Sequence, residues 1–298
     1  MIFRRRPSAR RVTPASLALI VAFGLALAIF AGPTRAQAQE DPPRVVAVGG
    51  SITEIVYALG MEHLLVARDT TSSWPAEVAQ LPDVGYMRSL SPEGVLSVRP
   101  DMIIAEEGSG PPETIEVLDE AAIDFITVPE SYDAEGVRAK ILAVADALGV
   151  PEEGAALADR IEAELAEAIS AINGEAPRVM FILSMQGGRV MASGTDTAAA
   201  GIIEMSGGVN AVSDFEGYRP LTDEAVLAAA PDVILMMARS GDHSAENSEL
   251  FGHPALGLTP AAETDSVVRI NGLLLLGFGP RTPEAVARLS EALGTVGG

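Results

Sequence analysis

Short apolar runs alternate with segments of helical period along most of the chain. Arg44-Val-Val-Ala-Val48 is β-rich and ends at Gly49-Gly50, and a helical pattern follows over 51–59. Ser51 is the expected N-cap of that helix, with Glu54 three residues on completing a capping box. Further strands are expected over 64–67, 102–105 and 125–128, the last two separated by a helical stretch over 112–122. Two helices then follow with no strand between them, over 134–148 and 152–172. The second, at about 21 residues, is roughly 30 Å long. In it Leu157, Ile161, Leu165 and Ile169 recur at four-residue spacing, with Ile172 closing the stripe. Glu153, Asp159, Glu162, Glu164 and Glu167 are mostly off that stripe and read as a solvated face. A second region of alternating elements has strands over 179–183, 190–192, 233–236 and 267–270, a helix over 197–205 and a closing helix over 283–293.

An internal echo links the two regions. The first has Gly85-Tyr-Met-Arg-Ser-Leu-Ser-Pro-Glu93-Gly-Val-Leu, then Pro100-Asp-Met-Ile-Ile104. The second has Gly217-Tyr-Arg-Pro-Leu-Thr-Asp-Glu224-Ala-Val-Leu, then Pro231-Asp-Val-Ile-Leu235. Each reads as a loop, a short helix capped by Ser91 or Thr222, a Pro-Asp turn and a buried strand. Ile52-Thr-Glu-Ile55 and Ile202-Ile-Glu-Met205 are a weaker echo. The expected fold is α/β, with two Rossmann-like lobes bridged by one long rigid helix and a ligand cleft between the lobes. The divisions fall at 1–38, a signal peptide; 39–150, the N-terminal lobe; 151–173, the connecting helix; and 174–298, the C-terminal lobe. A continuous connecting helix implies only small hinge closure.

Composition narrows the function. The 298 residues include 41 acidic, 20 basic and no cysteine side chains. Six of the arginines (Arg4, Arg5, Arg6, Arg10, Arg11 and Arg35) lie in the first 38 residues, which hold no acid. That Arg-rich start, an apolar run over 17–31 and the small-residue site Ala36-Gln37-Ala38 read as a secretory signal cleaved after Ala38. Arg10-Arg11 is a poor twin-arginine match. Without the signal, 14 basic side chains face 41 acidic ones, a net charge of −27. Such a surface does not displace phosphate counterions, so a nucleic-acid partner is not expected. The absence of cysteine removes disulfides, thiolate metal sites, cysteine nucleophiles and a lipid-bearing cysteine. The expected mature product is an exported, periplasmic monomer that is neither membrane-embedded nor a lipoprotein.

Enzyme motifs are mostly missing. There is no Walker A, no G-x-S-x-G and no H-E-x-x-H, and no catalytic residue or catalytic cofactor is expected. Of the three histidines, His63 and His253 read as structural or surface residues, while His243 sits in a polar loop within reach of a cleft. Their spacing does not support a three-His zinc site.

Asp69-Thr-Thr-Ser-Ser-Trp-Pro75, Pro82-Asp-Val-Gly-Tyr-Met-Arg88 and Leu90-Ser-Pro-Glu-Gly-Val-Leu-Ser97 resemble the signature of periplasmic haemin-binding proteins of ABC importers. Gly50-Ser-Ile-Thr-Glu-Ile55, Gly110-Pro-Pro112 and Leu276-Gly-Phe-Gly-Pro-Arg-Thr-Pro283 fit the same family, so the resemblance covers essentially the whole mature chain. Its two-lobe pattern is shared with vitamin B12 and siderophore binders. The resemblance implies haemin as transported ligand and delivery to an inner-membrane ABC permease. In similar B12 binders a Glu on each lobe tip docks on permease arginines, which implies that role for Glu93 and Glu224.

One position departs from the family. Where the resemblance places a tyrosine whose phenolate binds haem iron, this chain has Trp74. An indole N–H is a donor only and offers iron no lone pair, though the ring can stack on a porphyrin face. A family histidine of the second lobe likewise has no match near Ser184-Met-Gln-Gly-Gly188. Candidate iron ligands are therefore Tyr86, Tyr218 and His243, with Met87 and Met185 as softer ones. Arg88, Arg219 and Arg239 are candidates for the propionates, since Arg pairs bidentately with carboxylates. Trp74, Tyr86, Arg88, Tyr218, Arg219 and Arg239 make up the expected ligand site. A siderophore or cobalamin-type ligand is the first alternative, and an enzyme on the same scaffold or an accessory domain that binds only protein are further ones.

Overall fold

A computed structural model of the protein describes residues 41–238 and 246–295. The expected signal over 1–38, Arg239 and His243 lie outside the described residues. The described residues from Pro43 onward form one compact unit. Among the described residues no helix is long and apolar enough to cross a membrane.

The first region runs β1 (Val45–Val48), α1 (Gly50–Ala58), β2 (Leu65–Arg68), α2 (Pro92–Ser97), β3 (Met102–Glu106), α3 (Pro112–Glu120), β4 (Asp124–Val128), α4 (Ala134–Ala147) and α5 (Pro151–Ser170). The second runs β5 (Arg178–Gln186), β6 (Arg189–Ser193), α6 (Ala198–Met205), β7 (Val209–Asn210), β8 (Tyr218–Pro220), α7 (Asp223–Ala229) and β9 (Val233–Ala238). It continues with α8 (Asn247–Phe251), α9 (Pro260–Glu263), β10 (Val267–Asn271), α10 (Gly272–Leu276) and α11 (Thr282–Gly294).

The first sheet is wholly parallel, in the order β2-β1-β3-β4. β1 is central and fully buried, which is why it reads as an unbroken apolar run rather than an alternating one. The second sheet, β10-β9-β5-β6-β8 with β7 beside β5, is mixed. β9 runs parallel to β5 and β10, while β6 and β8 run antiparallel to their neighbours. β6 is antiparallel because the tight Gly187-Gly188 turn returns the chain directly beside β5, with no crossover helix.

The sequence echo is a structural repeat. Ser91 accepts from the Gly94 N–H at 3.0 Å, and Thr222 from the Ala225 N–H at 3.2 Å, so both short helices are side-chain capped. In each lobe an arginine at the start of the central strand clasps the Pro-Asp turn. The Arg44 N–H donates to Asp101 and the Arg178 N–H to Asp232, both at 2.8 Å. The Arg44 side chain donates to the Val98 and Arg99 carbonyls, and that of Arg178 to Ala229. Arg99 and Ala230 both adopt positive φ, 49° and 39°, where the helix turns into the Pro-Asp step. The clasp satisfies the carbonyls that a helix C-terminus leaves open.

α5 begins with Pro151 at its first turn, where a missing N–H costs nothing. Leu157, Ile161 and Leu165 are buried, but the stripe stops there, because Ile169 is exposed. The helix is therefore not a free-standing rod. It packs along α4 of the first region and α11 of the second. One core cluster contains β1 and α1 residues, the α5 stripe, Val179, Phe181, Val233, Leu235, Phe278 and Leu289. Apolar packing thus runs unbroken through both lobes.

The α4–α5 contact is close because Gly154 has no side chain; a Cβ there would collide with that of Ala145. Gly154→Ala is expected to lower stability by about 1–3 kcal/mol through overpacking, despite the better helix propensity of Ala. Urea unfolding measures it, and a stabilised variant would show that the two helices are not in contact.

Candidate functional site

The site is built at the carboxyl ends of the first sheet's strands, where open α/β sheets bind ligands. β1 ends at Gly49, whose φ of 112° favours glycine and whose absent Cβ leaves room for the Glu106 carboxylate. The Gly49 N–H donates to Asp69 Oδ1 at 3.1 Å. Asp69 is fully buried and also accepts from the Thr71 N–H, the Thr71 hydroxyl and the Ser72 hydroxyl, at 2.8–3.0 Å. A buried carboxylate with that many donors fixes its loop, and the loop delivers Trp74 to the surface, 48% exposed.

Trp74 is not alone there. The Arg281 guanidinium lies over its ring, 4.7 Å from the centroid. Arg281 in turn grips Glu54 through two nitrogens, Nε at 3.1 Å and Nη2 in a shorter contact. Glu54 is 6% exposed, and burial pushes its carboxyl above the usual carboxylate range, with the Arg281 bonds opposing the shift. This corrects the expected capping box. α1 has Gly49 at its N-cap and no side-chain cap, and Ser51 and Glu54 are spent on tertiary contacts instead.

Ser51 donates to Glu106 and accepts from Lys140 Nζ at 3.2 Å. Lys140, fully buried on α4, also donates to the Gly277 carbonyl at 3.0 Å and pairs with Glu130. Burial is the main cause that pushes Glu130 up to about 7; Lys140 opposes it, while Glu106 and Glu107 add to it. Two cations thus tie two carboxylates directly, with Glu106 joined through Ser51, and through Gly277 and Arg281 they tie the first lobe to the C-terminal segment.

The second cluster is aromatic. Arg88 donates to the Tyr86 hydroxyl at 3.3 Å, and its charge also acts on Tyr132 and Tyr218. The structure therefore pairs Tyr86 with Arg88, whose charge reaches Tyr218 and Tyr132. Burial raises the phenols of Tyr132 and Tyr218 above their ordinary value. For Tyr218, the Thr197 hydroxyl, the Ala199 N–H and Ser193 pull the other way by favouring the phenolate. Its ring meets Phe181 edge-on at 6.3 Å, and Tyr132 meets Phe278 likewise at 5.4 Å. Arg219, next along β8, points away from Tyr218 and stacks over Phe215 at 5.2 Å.

The remaining expectations divide. Glu93 and Glu224 lie on the first turns of α2 and α7. The Glu224 carboxyl lies below its usual range because its own N–H and the Thr222 hydroxyl bond it. Met87 is buried in the first lobe's core, so it is packing rather than a ligand, and Met185 packs against the second-lobe core. His253 is structural: its Nδ1 accepts from the Ala255 N–H and its Nε2 contacts the Gly188 carbonyl. Sequence reasoning missed Glu54, Glu106, Glu130, Lys140 and Arg281. Arg281 stood within the C-terminal motif, but nothing local marks which carboxylate it meets 227 residues away.

The family described as periplasmic binding protein matches residues 45–272. The periplasmic heme-binding protein BhuT in complex with two hemes superposes with a TM-score of 0.82 at 39% identity, covering 86% of this chain and 99% of that one. The apo periplasmic heme-binding protein RhuT from Roseiflexus sp. RS-1 gives 0.82 at 34% identity, over 87% and 100%. The vitamin B12-binding protein of Vibrio cholerae is 25% identical over 252 residues, 84% of this chain and 88% of that one.

A carboxyl whose folded pKa is raised binds a proton that the unfolded chain has released. Its contribution to stability is present at low pH and lost as pH rises through the folded value. For Glu130 that loss falls between the ordinary carboxylate range and about 7. Thermal unfolding from pH 5 to 8 should show wild type losing stability relative to Glu130→Gln as pH rises. Parallel curves would contradict the half-buried placement of Glu130.

Proposed function

We propose a function that proceeds from kinship: the chain belongs to the periplasmic binding protein family, and as the substrate-binding component of an ABC importer it captures haemin. It holds the ligand between its lobes in the periplasm and delivers it to an inner-membrane permease for iron uptake, by binding rather than covalent chemistry. The observation that carries this reading is Trp74, a flat, half-exposed ring backed by the Arg281 cation, in a chain that also exposes Tyr86 beside Arg88. A planar ring with two carboxylates needs an apolar platform and cations. Heme-binding neighbours that align over nearly their whole length support it.

In this reading Trp74 stacks on the ring and Arg88 pairs with a propionate, while Arg219, expected to do the same, faces away from Tyr218 and stacks on Phe215. Arg239, outside the described residues, is a third candidate. Tyr86 and Tyr218 are the iron-ligand candidates within the structure, and His243 lies outside the described residues. Each phenol already has polar partners, Arg88 for Tyr86 and the start of α6 for Tyr218, so an iron bond competes with them. A cobalamin-type ligand is the second reading, favoured by Trp74 and by the vitamin B12-binding relatives. Glu93 and Glu224, one per lobe at matching places in the repeat, dock on permease cations.

Titration of the protein with haemin, followed by absorbance, should give a saturable Soret shift. Trp74→Tyr should retain binding and move the bands as a phenolate becomes available to iron. No shift with haemin alongside saturable binding of cobalamin would overturn the haemin reading. Glu93→Lys with Glu224→Lys should leave haemin affinity unchanged and lower permease-dependent uptake at least about tenfold, because like charges then face the docking cations. Undiminished uptake would remove the docking role.

A further inference from the structure

Trp74 is the chain's sole tryptophan and sits at the end of a loop already fixed by Asp69. One face of its indole is covered by the Arg281 guanidinium, and about half of the residue remains exposed, 48%. Arg281 cannot swing freely, because two of its nitrogens are committed to Glu54, which is buried on α1. A planar guanidinium locked at its edge by a carboxylate presents its face to an aromatic ring in one orientation. The remaining surface of the indole is thus a pre-oriented apolar plane, whose side chain has no lone pair to offer a metal. Arg88, beside Tyr86, suits a carboxylate on the rim of a ligand, and such a carboxylate is the same with or without a metal at the ring's centre.

We propose, resting on the tetrapyrrole reading above, that Arg281, gripped by Glu54, is a positioning residue that fixes Trp74 as a stacking platform, and that the site takes a planar dicarboxylate tetrapyrrole whether or not its ring carries iron. The platform is assembled from both lobes: Trp74 and Glu54 come from the first and Arg281 from the segment that closes the second. The Tyr86 and Tyr218 phenols add little metal selectivity, since each already has polar partners within the protein.

Two measurements decide this. In the ligand-free protein, emission from the single tryptophan reports the platform directly. Arg281→Lys keeps the charge but loses the planar fork, and should lower emission anisotropy and shift the maximum to the red. Glu54→Gln with Arg281→Met removes both charges of the pair together, so the fold does not carry an unpaired carboxylate, and should do the same. Spectra that superimpose on wild type for both variants would overturn the positioning role. Wild-type affinity for metal-free protoporphyrin IX should then lie within about tenfold of that for haemin, with both weakened at least about tenfold in the two variants. Protoporphyrin binding more than about tenfold weaker than haemin would overturn the metal-independent part. If neither ring binds, the ligand class and the proposed function fall together, while the ligand-free emission still decides the role of Arg281.

Discussion

The structure depends on a polar seam buried between the end of the first sheet and the C-terminal segment. Burying Glu54 and Lys140 and half-burying Glu106, Glu130 and Arg281 is costly unless the charges find partners. Arg281 meets Glu54 through two nitrogens, Lys140 is ion-paired with Glu130 and donates to Ser51 and a main-chain carbonyl, and Glu106 accepts from Ser51. Breaking one member leaves the others stranded, so the seam specifies one relative placement of the elements that carry it. Glycines make the approach possible. A Cβ on Gly50 would strike Leu273 of α10, and one on Gly201 of α6 would strike the Tyr132 carbonyl.

From that seam the site follows with few further steps. Arg281 is fixed by Glu54, and Trp74 by Arg281 together with the Asp69 turn. Tyr132 is fixed by Phe278, which belongs to the same C-terminal segment as Arg281, and lies in the field of Arg88 with Tyr218. The apolar core passing through α5 carries the two sheets, and the seam sets what stands at their ends. If the proposed ring is the ligand, a surface so tightly supported needs little rearrangement to accept it, which limits the ordering cost of association.

Much of the fold was legible because its signals are local. Buried strands such as Val45–Val48 and Val233–Ala238 announce themselves as apolar runs, and Ser91 and Thr222 mark helix starts through their own side chains. The repeat was visible as recurring Gly-Tyr, Glu and Pro-Asp, although the arginine clasp that completes it was not. β7 and β8 were missed because two or three residues show no periodicity, and Tyr218–Pro220 is exposed throughout. The Ser51–Glu54 pattern misled for a physical reason: a capping box and a tertiary ion pair use the same residue types, and only long-range contacts separate them. Trp74 was identifiable as the departure that matters, but its partner Arg281 was not, since a cation–π contact over about 200 residues of chain leaves no mark in spacing.

Everything proposed for this site turns on a planar ligand resting on Trp74 with Arg281 behind it, and a crystal structure of the protein soaked with haemin is the measurement to make. The ring plane is expected parallel to the indole at about 4 Å, on the face opposite Arg281, with the Glu54–Arg281 pair intact. A bound ring that leaves Trp74 uncovered, or that displaces Arg281 from Glu54 to reach it, would contradict that arrangement.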